Sequence, residues 1–505
     1  MSRVVVVGAG VGGLAAAVRL AAGGHAVTVL EQADVVGGKL GVLARDGFVF
    51  DTGPSLVTMP HLYRDLFAAT GAPLDEVLHL ERLDVACRYR FPDGTVLDLP
   101  GERDAIPAAL DAALGPGAGA QWAHFLDRAE SAWEATHADF LESPIGVADL
   151  LRLSTRVRDL RAVAPWSTLR RFGARSLRDP RLRMLLDRYA TYTGSDPRLA
   201  PAVLATVPYV EQEWGSWYVR GGLRRIADAL AARAVALGVE MRTSTPVDAL
   251  ETGAGRGSPV RGVRTAAGER LPADVVVANA DAATLYGGLL PPGAGRAAAR
   301  RLARTTPSLS GFVLLLALDG RDPDTPHHRV LFPTDYDAEF DAVFGRGGPP
   351  RPPASPTVYV SAPDDPSLRP SDDTEAWFVL VNAPRHAPGP DGEGVDWDVP
   401  GLAGSYADHV LDLMAARGVD VRARIRRRWV RTPADLERAT RSPGGSIYGS
   451  SSNGARAAFL RPANRSPVPG LYLVGGSAHP GGGLPLVTLS AGIVADLVGP
   501  AADRG

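Results

Sequence analysis

The stretch RVVVVGAGVGGLAAAVRLAAGGHAVTVLEQ, residues 3–32, limits the possible folds of this chain more than any other part of it. Val4–Val7 is a β-branched run, typical of a strand that is buried on both faces. The glycine-rich run Gly8–Gly13 follows at once, and Leu14–Ala22 has high helix propensity until two glycines end it. Because Ala26–Leu30 has the pattern of a second strand, the stretch predicts a βαβ unit.

The glycines of this unit, and the acid that closes it, have mechanical reasons to bind a dinucleotide. Gly8 permits a tight turn, Gly10 lets the backbone approach a pyrophosphate, and Gly13 lets the helix pack closely on the strand. The free N–H groups and the positive dipole end of the helix favour phosphate. Glu31 lies 18 residues after Gly13 and can accept hydrogen bonds from ribose hydroxyls. We therefore predict a dinucleotide-binding site.

A second glycine pair follows in ADVVGGKLGVLARDGFVFDTGPSLVT. Gly37, Gly38 and Lys39 could wrap a cofactor in an extended pose, with the lysine near phosphate or flavin; an ordinary surface turn is the alternative. Lys39 is the single lysine among 54 basic residues. A GC-rich coding bias explains the arginines but not the survival of this lysine.

Composition limits the classes of protein to consider. A chain of 505 residues is too long for one ordinary core, so we expect two or more domains. The net charge of -2 offers no electrostatic basis for binding nucleic acid. The single cysteine, Cys87, excludes an intramolecular disulfide and fits a reducing compartment. No stretch reaches the roughly 18 uninterrupted apolar residues of a membrane-spanning helix.

Further along, helix-rich and strand-rich patterns alternate. Cys87–Pro100 is predicted to be a hairpin around a Pro-Asp-Gly turn, and residues 101–208 are helical in pattern. Val239–Leu250 and Ala273–Ala280 are predicted strands that return to the first sheet. Phe312–Leu318 is predicted to be a buried strand.

Segments spread over nearly the whole chain resemble the flavin amine-oxidase superfamily and, more closely, its carotenoid branch, the bacterial phytoene-desaturase family. They include the glycine and D-x-G segments above, EWGSWYVRGGLRRIADAL, ADVVVANADAATLYGGLLPP and LYLVGGSAHPGGGLPL. The last is the most specific. The family usually has Gly-Ala-Gly-Thr/Ser-His-Pro-Gly-Ala-Gly-Ile-Pro there, and the departure to GGSAHPGGGLP resembles desaturases of already modified carotenoids and related oxygenases.

The resemblance implies an α/β fold in which a Rossmann-type FAD-binding domain carries an inserted, mixed α+β substrate domain and a helical, membrane-associating region. The FAD-binding domain is expected to be discontinuous, made of residues 1–80, 210–290 and 465–505. Residues 81–100 and 291–464 are expected to form the substrate domain. Residues 101–209 are expected to form the helical region, as a membrane-surface or lid segment.

The resemblance also implies a role for the C-terminal glycines. Leu471–Val474 would be a strand that brings the chain to FAD, and glycines without Cβ would let backbone lie against the flavin ring. The last helix, Leu486–Val498, would point its positive dipole end at the ring. The two glycine-rich ends of the chain would thus meet on one FAD. The predicted FAD contacts are Gly8, Gly10, Gly12, Gly13, Glu31, Gln32, Gly38, Lys39, Asp51, Thr52, Gly53, Pro54, Val247, Asn279, Gly475, Gly476, Gly482, Gly483, Leu484, Pro485 and Leu486.

The chemistry implied by the family is loss of a hydride to flavin N5 beside a conjugated polyene, then loss of a proton from the neighbouring carbon. The polyene stabilises the cation, so a strong protein base is not obligatory. His479 is predicted to orient the ring or take a proton; a loop histidine bonded to backbone is the alternative. Arg220 is predicted to face flavin or substrate, with an exposed cation as the alternative. Trp214, Trp217 and Tyr218 would line a polyene tunnel or pack in a core.

A few other polar residues could take part in the chemistry. Asp196 and Glu213 are further candidate bases. If His327 and His328 lie on a strand, they point to opposite faces of it, so we expect no metal shared between them. The sequence contains no zinc-ligand spacing and no Ser-His-Asp set.

Leu150–Tyr189 is basic, with interleaved leucines, Trp166 and Phe172. Such a segment can lie on an anionic membrane surface, and a solvated arginine face over a core is the alternative. Because carotenoids dissolve in bilayers, we expect a peripheral protein on the inner face of the cytoplasmic membrane.

The leading interpretation is an FAD-dependent carotenoid desaturase acting on phytoene or on a partly desaturated or hydroxylated carotene. A carotenoid 3,4-desaturase or end-group oxygenase is the first alternative. Another amine-oxidase-like flavoenzyme and a non-catalytic flavoprotein are the others. The expected partners are a carotenoid and a membrane surface, with no nucleic acid and no metal.

Overall fold

A computed structural model describes residues 1–144, 156–253, 255, 257–389, 393–454, 457 and 461–501. The first valine run lies at the centre of a five-stranded parallel sheet, because its side chains can be buried on both faces. In spatial order the strands of this sheet are Leu471–Leu473, Val275–Ala278, Arg3–Val7, Ala26–Leu30 and Glu240–Arg242.

The helix between the first two strands, Val11–Ala22, packs against the C-terminal helix, Leu484–Val498, and against Arg224–Ala236. Nine of its residues are buried. The predicted βαβ unit is therefore confirmed. The strand predicted at Ala273–Ala280 also joins this sheet, beside the first strand.

A second sheet has seven strands, of which only one neighbouring pair is parallel. It contains the predicted hairpin and the predicted buried strand, here Ser310–Asp319, so both predictions are confirmed. In spatial order its strands are Ile425–Arg431, Ser310–Asp319, Thr374–Ala383, Val358–Ser361, His328–Leu331, Val85–Arg90 and Val96–Pro100.

Residues 101–144 and 156–208 contain helices and turns but no strand, as predicted for this region. One core cluster joins these helices to the hairpin through Trp122, Phe125, Phe172, Tyr189 and Tyr89. The helices of this part are Ile106–Leu114, Ala118–Thr136, Val157–Val163, Leu169–Gly173, Pro180–Arg188 and Thr206–Trp214.

The prediction for Val239–Leu250 is wrong in its second half. Glu240–Arg242 joins the parallel sheet, but Val247–Thr252 pairs with Val260–Thr265 in a separate antiparallel sheet that Arg270–Pro272 completes. The smaller ribbons pair Val42–Arg45 with Phe48–Asp51 and Leu80–Arg82 with Trp217–Val219.

The remaining α-helices connect these sheets. Among the described residues, no helix is both long and apolar enough to cross a bilayer. The connecting helices are His61–Ala69, Ala282–Thr284, Arg296–Leu302, Tyr336–Phe344, Leu402–Ala416 and Pro433–Thr440.

Candidate functional site

The N-terminal glycines form a turn against one side chain from the neighbouring strand. Gly8 has a φ of 99°, which favours glycine. A Cβ on Gly10 would lie 2.7 Å from Oδ1 of Asn279, and a Cβ on Gly13 would clash with the carbonyl oxygen of Gly8. Gly10 and Gly13 therefore leave no room for a side chain.

The C-terminal glycine loop meets this turn. A Cβ on Gly12 would lie 3.1 Å from Cα of Gly475, and Asn279 donates from Nδ2 to the carbonyl of Val474 at 3.1 Å. The structure thus brings together the two glycine-rich ends. We call Gly8, Gly10, Gly12, Gly13, Gly475 and Asn279 the glycine cradle.

The rest of the C-terminal loop is also held by close contacts. A Cβ on Gly476 would lie 3.3 Å from Cα of Gly482, and a Cβ on Gly482 would clash with the ring of Tyr448. Gly483, with a φ of 111°, precedes the helix that begins at Leu484 and Pro485. That helix begins two residues before the predicted Leu486.

Glu31 is buried and accepts backbone hydrogen bonds on both carboxylate oxygens, from Ala9 N at 2.6 Å and from Ala33 N at 2.9 Å. These bonds fix the carboxylate beside the glycine turn. Gln32 donates from its side chain to the carbonyl of Ala439. Contact of Glu31 and Gln32 with a nucleotide remains a prediction.

Lys39 belongs to a buried group of charges. Its Nζ donates to the carbonyls of Ser446 at 2.9 Å and Ile447 at 2.7 Å, and burial lowers its pKa to about 8, opposed by the charge of Asp281. Burial likewise lowers the pKa of Arg461 to about 10, again opposed by Asp281. Arg461 donates to three backbone carbonyls, including that of Gly476. Arg461 therefore ties the C-terminal loop to the segment at Tyr448 and Ser450, and Lys39 ties the N-terminal glycine pair to the segment at Ser446.

The Asp51–Pro54 segment is anchored at several points. Asp51 accepts from the backbone of Leu223 at 2.7 Å and Arg224 at 3.1 Å, at the start of a helix, and burial raises its pKa to about 6. A Cβ on Gly53 would clash with the carbonyl of Lys39. Thr52 O accepts a bond from Arg431. The remaining predicted contact, Val247, accepts a bond from Arg441 on its carbonyl oxygen.

These residues fit a dinucleotide. The cradle is built from backbone, as a closely approaching pyrophosphate requires. Arg224 lies against Gly37, where a Cβ would be 3.4 Å from Cδ of the arginine, and its Nη1 is buried without a hydrogen-bond partner. A buried cationic donor of this kind suits an anionic ligand group.

His479 lies within the C-terminal loop and is completely buried. Its Nε2 lies 3.1 Å from the carbonyl of Ser143, its ring meets Phe140 edge-on at 5.1 Å, and its Nδ1 has no described partner. Burial lowers its pKa to about 4, so the ring is neutral at pH 7.

The three aromatic residues predicted to contact substrate face different neighbours. Trp214 lies in an aromatic group with Trp133 at 5.3 Å and His61 at 5.6 Å. Trp217 donates from Nε1 to the carbonyl of Trp214. Tyr218 points elsewhere and donates to Asp365 at 3.0 Å, so the structure does not join the three in one wall.

Other predicted charged residues form ion pairs. Arg220 is half exposed and pairs with Glu81 at 2.8 Å, an arrangement that favours the exposed-cation alternative. Buried Asp196 pairs with Arg198 at 2.8 Å. Glu213 pairs with Arg103. None of these contacts involves the glycine cradle.

The expectation that His327 and His328 point apart is wrong. Only His328 lies in the strand, so the rings approach to 4.3 Å and Nδ1 of His327 lies 3.1 Å from Nε2 of His328. The chain of contacts continues from His328 Nδ1 to the hydroxyl of Tyr359 at 2.7 Å and on to Ser55 Oγ at 2.5 Å. A buried polar chain thus reaches the residue that follows Pro54.

Sequence reasoning missed Arg224, Asp281 and Arg461. Asp281 follows the strand Val275–Ala278 at the carboxyl end of a parallel sheet, where ligands usually bind, and that position could have identified it. Arg224 lies two residues after a glycine pair, a weak signal. No sequence pattern marks Arg461.

Comparison with known proteins identifies the family of this chain. The family described as flavin containing amine oxidoreductase matches residues 11–386. The solved structure of an oxidoreductase from Methanosarcina mazei, 17% identical, covers 97% of this chain and 98% of its own, with a TM-score of 0.62. That likeness shows a shared fold.

Curated relatives match over nearly the whole chain. The 4,4'-diapolycopene oxygenase of Methylomonas sp is 35% identical, covering 98% of both chains. The hydroxyneurosporene desaturase of Rhodobacter capsulatus is 36% identical, covering 96% of this chain and 95% of its own. The 1-hydroxycarotenoid 3,4-desaturase of a Flavobacterium is 32% identical, covering 99% of both.

Proposed function

This chain belongs to the family of flavin containing amine oxidoreductases, and on that premise we propose that it is an FAD-dependent carotenoid desaturase. Membership makes it an oxidoreductase whose cofactor is FAD. The proposed reaction removes a hydride and a proton from adjacent carbons of an acyclic carotenoid and leaves a C=C bond. The names of its full-length relatives support a carotenoid substrate.

The observation that carries this proposal is the aromatic group beside the C-terminal glycine loop. Trp214, Trp133 and His137 follow one another at ring distances of 5.3 and 5.2 Å. Phe140, in the next turn, contacts His479 of the loop. Aromatic faces suit a flat polyene and stabilise a positive charge delocalised along it.

Bound FAD supplies a two-electron acceptor for the hydride. We assign its phosphates to the glycine cradle and Arg224, and its ring to the loop from Gly475 to Gly483. His479 holds the segment at Ser143 and is neutral, so we assign it an orienting role. The closely packed aromatic side chains exclude water from the cation that forms on the polyene.

Anaerobic mixing of the purified holoprotein with carotenes tests this proposal. Bleaching of the flavin absorbance, with new bands of a longer conjugated system in the extracted pigment, is expected for at least one acyclic carotene. A diamine serves as the control substrate and should leave the flavin oxidised. Reduction by the diamine alone would reject the desaturase.

An end-group oxygenase is the second candidate, favoured by the relative from Methylomonas. The same experiment, repeated with molecular oxygen, separates the two. A product that has gained an oxygen atom identifies an oxygenase, and one that has only lost two hydrogens identifies a desaturase.

We further propose binding to the inner face of the cytoplasmic membrane. Trp166 is 63% exposed, and the neighbouring arginines Arg158, Arg161 and Arg175 are exposed as well. By contrast, Leu169 and Phe172 are buried in the core. Residues 150–155 of the predicted basic segment lie outside the described residues.

Flotation with anionic liposomes tests this surface. Replacing Trp166 with alanine and Arg158 and Arg161 with glutamine should weaken binding, because both apolar insertion and charge attraction are lost. The matched control changes the exposed arginine Arg300 to glutamine. Unchanged flotation of the triple variant would reject the proposal.

A further inference from the structure

Arg188 is a buried cation without a counterion in contact. It is 7% exposed, and its Nη1 donates to Tyr192 at 2.8 Å and to Tyr89 at 3.4 Å. Within the described part of the chain, no carboxylate lies within 4.0 Å of its guanidinium, and Nε and Nη2 donate no hydrogen bond to the protein. Neither atom is fully enclosed, so both remain accessible to a ligand atom. A guanidinium has five N–H donors, and Nη1 supplies only two of them. The site therefore has donor capacity that this chain does not use.

Aromatic rings surround this cation. Its Cζ lies between 5.1 and 5.7 Å from the ring centres of Tyr89, Tyr192 and Tyr359. The hydroxyl of Tyr192 donates to Glu211, and that of Tyr359 contacts Ser55 and His328. We call Arg188, these tyrosines and Glu211 the arginine cluster. Its rings and free N–H donors match an apolar ligand that ends in an oxygen atom.

The cluster lies close to both segments assigned to the flavin. Tyr359 contacts Ser55, which directly follows Pro54. On another side, burial raises the pKa of Tyr448 to about 12 while the charge of Arg188 opposes that rise, and the ring of Tyr448 packs on Gly482. An oxygen held by Arg188 would therefore lie near the reacting end of the substrate.

We propose that Arg188 binds the hydroxyl oxygen at the end of an acyclic carotenoid and so gives the enzyme a preference for hydroxylated carotenes over hydrocarbons. This rests on the proposed function and specifies its substrate class. The hydroxyl accepts from the free N–H donors of Arg188, and the tyrosine rings contact the adjoining hydrocarbon. A hydrocarbon end would cover Nε and Nη2 without accepting a hydrogen bond from them, which disfavours it.

The test compares a 1-hydroxylated acyclic carotene with its parent hydrocarbon of equal conjugated length. Binding is followed by quenching of tryptophan fluorescence, and turnover by kcat and KM on the holoprotein. The variant is Arg188→Met, with the exposed Arg300→Met as matched control. If Arg188→Met does not fold, two other variants are used in its place. Arg188→Lys keeps the charge but has fewer N–H donors, and Tyr192→Phe removes the hydroxyl that accepts from Arg188.

The wild type and the Arg300 control should favour the hydroxylated carotene by about 10- to 100-fold, the range for one hydrogen bond to a charged group. Arg188→Met should bring the ratio close to 1 by raising Kd and KM for the hydroxylated carotene alone, with full FAD content. Arg188→Lys and Tyr192→Phe should give intermediate ratios.

Equal binding of both carotenes by the wild type, or an unchanged ratio in a folded Arg188 variant, would overturn the inference. So would loss of FAD from a folded variant, since Arg188 would then serve the cofactor. If the wild type oxidises neither carotene yet binds the hydroxylated one more tightly, the desaturase proposal fails and the assignment of Arg188 stands.

Discussion

The glycine cradle and the arginine cluster are built in opposite ways. The cradle works because side chains are absent, so that backbone from Gly12 and Gly475 comes into contact. The cluster works through large side chains that meet from two strands of the second sheet, at Tyr89 and Tyr359, and from the end of a helix, at Arg188. A backbone site tolerates almost no added atoms, whereas a side-chain site loses its interactions one at a time.

The largest effect is expected for Gly13→Ala. The added Cβ clashes with the carbonyl of Gly8, and neither backbone segment can move because the strand and helix are both packed. We expect loss of bound FAD and a destabilisation of more than about 3 kcal/mol. The ratio of flavin to protein absorbance and urea unfolding measure this.

Gly404→Ala is the matched control, since it lies in the helix Leu402–Ala416 with open space around it. It should leave FAD bound and stabilise the protein by about 0.5–1 kcal/mol. Wild-type FAD content in Gly13→Ala would remove the distinction between the two kinds of site.

Glu211→Ala tests the cluster. Glu211 accepts from Tyr189 at 2.7 Å and from Tyr192 at 2.9 Å. Its removal leaves two buried hydroxyl hydrogens without their acceptor and takes away a negative charge that acts on Arg188, so we expect a loss of about 2–3 kcal/mol in unfolding free energy. The exposed Glu134→Ala should change stability by less than about 0.5 kcal/mol. Equal effects of the two variants would show that the cluster has no special stability role.

His479→Gln should change how stability depends on pH. The unfolded histidine binds a proton below its ordinary pKa of about 6.5, whereas the buried ring stays neutral down to about 4. Because the unfolded chain binds more protons at this site in this window, the contribution of His479 to stability rises from pH 4 to 6.5, by up to about 3 kcal/mol. His479→Gln should reduce the slope by this contribution, while the exposed His124→Gln should leave the slope unchanged; His327 and His328, whose pKa values burial also lowers, keep their own contributions in both variants. A slope equal to that of the wild type in His479→Gln would contradict the assignment.

Tyr359→Phe should have the smallest effect. It removes the hydroxyl contacts with His328 and Ser55 but keeps the ring over Arg188. We expect a loss of about 1 kcal/mol and an unchanged substrate ratio. Tyr472→Phe, whose hydroxyl is 3.5 Å from the carbonyl of Leu497, is the control. A changed ratio would mean that the hydroxyl, and not only the ring, reads the substrate.

Sequence reasoning succeeded where one stretch of chain contains the whole feature. The strand, turn, helix and second strand of the βαβ unit are contiguous, and their glycine requirement is visible in Gly8 and Gly13. It failed where an element boundary or pairing partner decided the outcome. His327 lies just outside the strand of His328, and Val247–Thr252 pairs with Val260–Thr265 instead of the parallel sheet.

The amino-acid sequence by itself determined the nucleotide-binding unit, the family and the cofactor, because these depend on local backbone requirements that particular residue types reveal. Only the tertiary structure decided which side chains surround Arg188, and which carbonyl groups accept the hydrogen bonds of Lys39 and Arg461. The partners of Lys39 lie more than 400 residues away in the chain, and Tyr89 and Tyr359 are also far from Arg188 in the sequence. Burial strengthens each of these contacts and raises the cost of leaving it unmade. Electrostatic and hydrogen-bonding interactions depend on distance in space and not on separation in the sequence, so no sequence pattern could identify the arginine cluster.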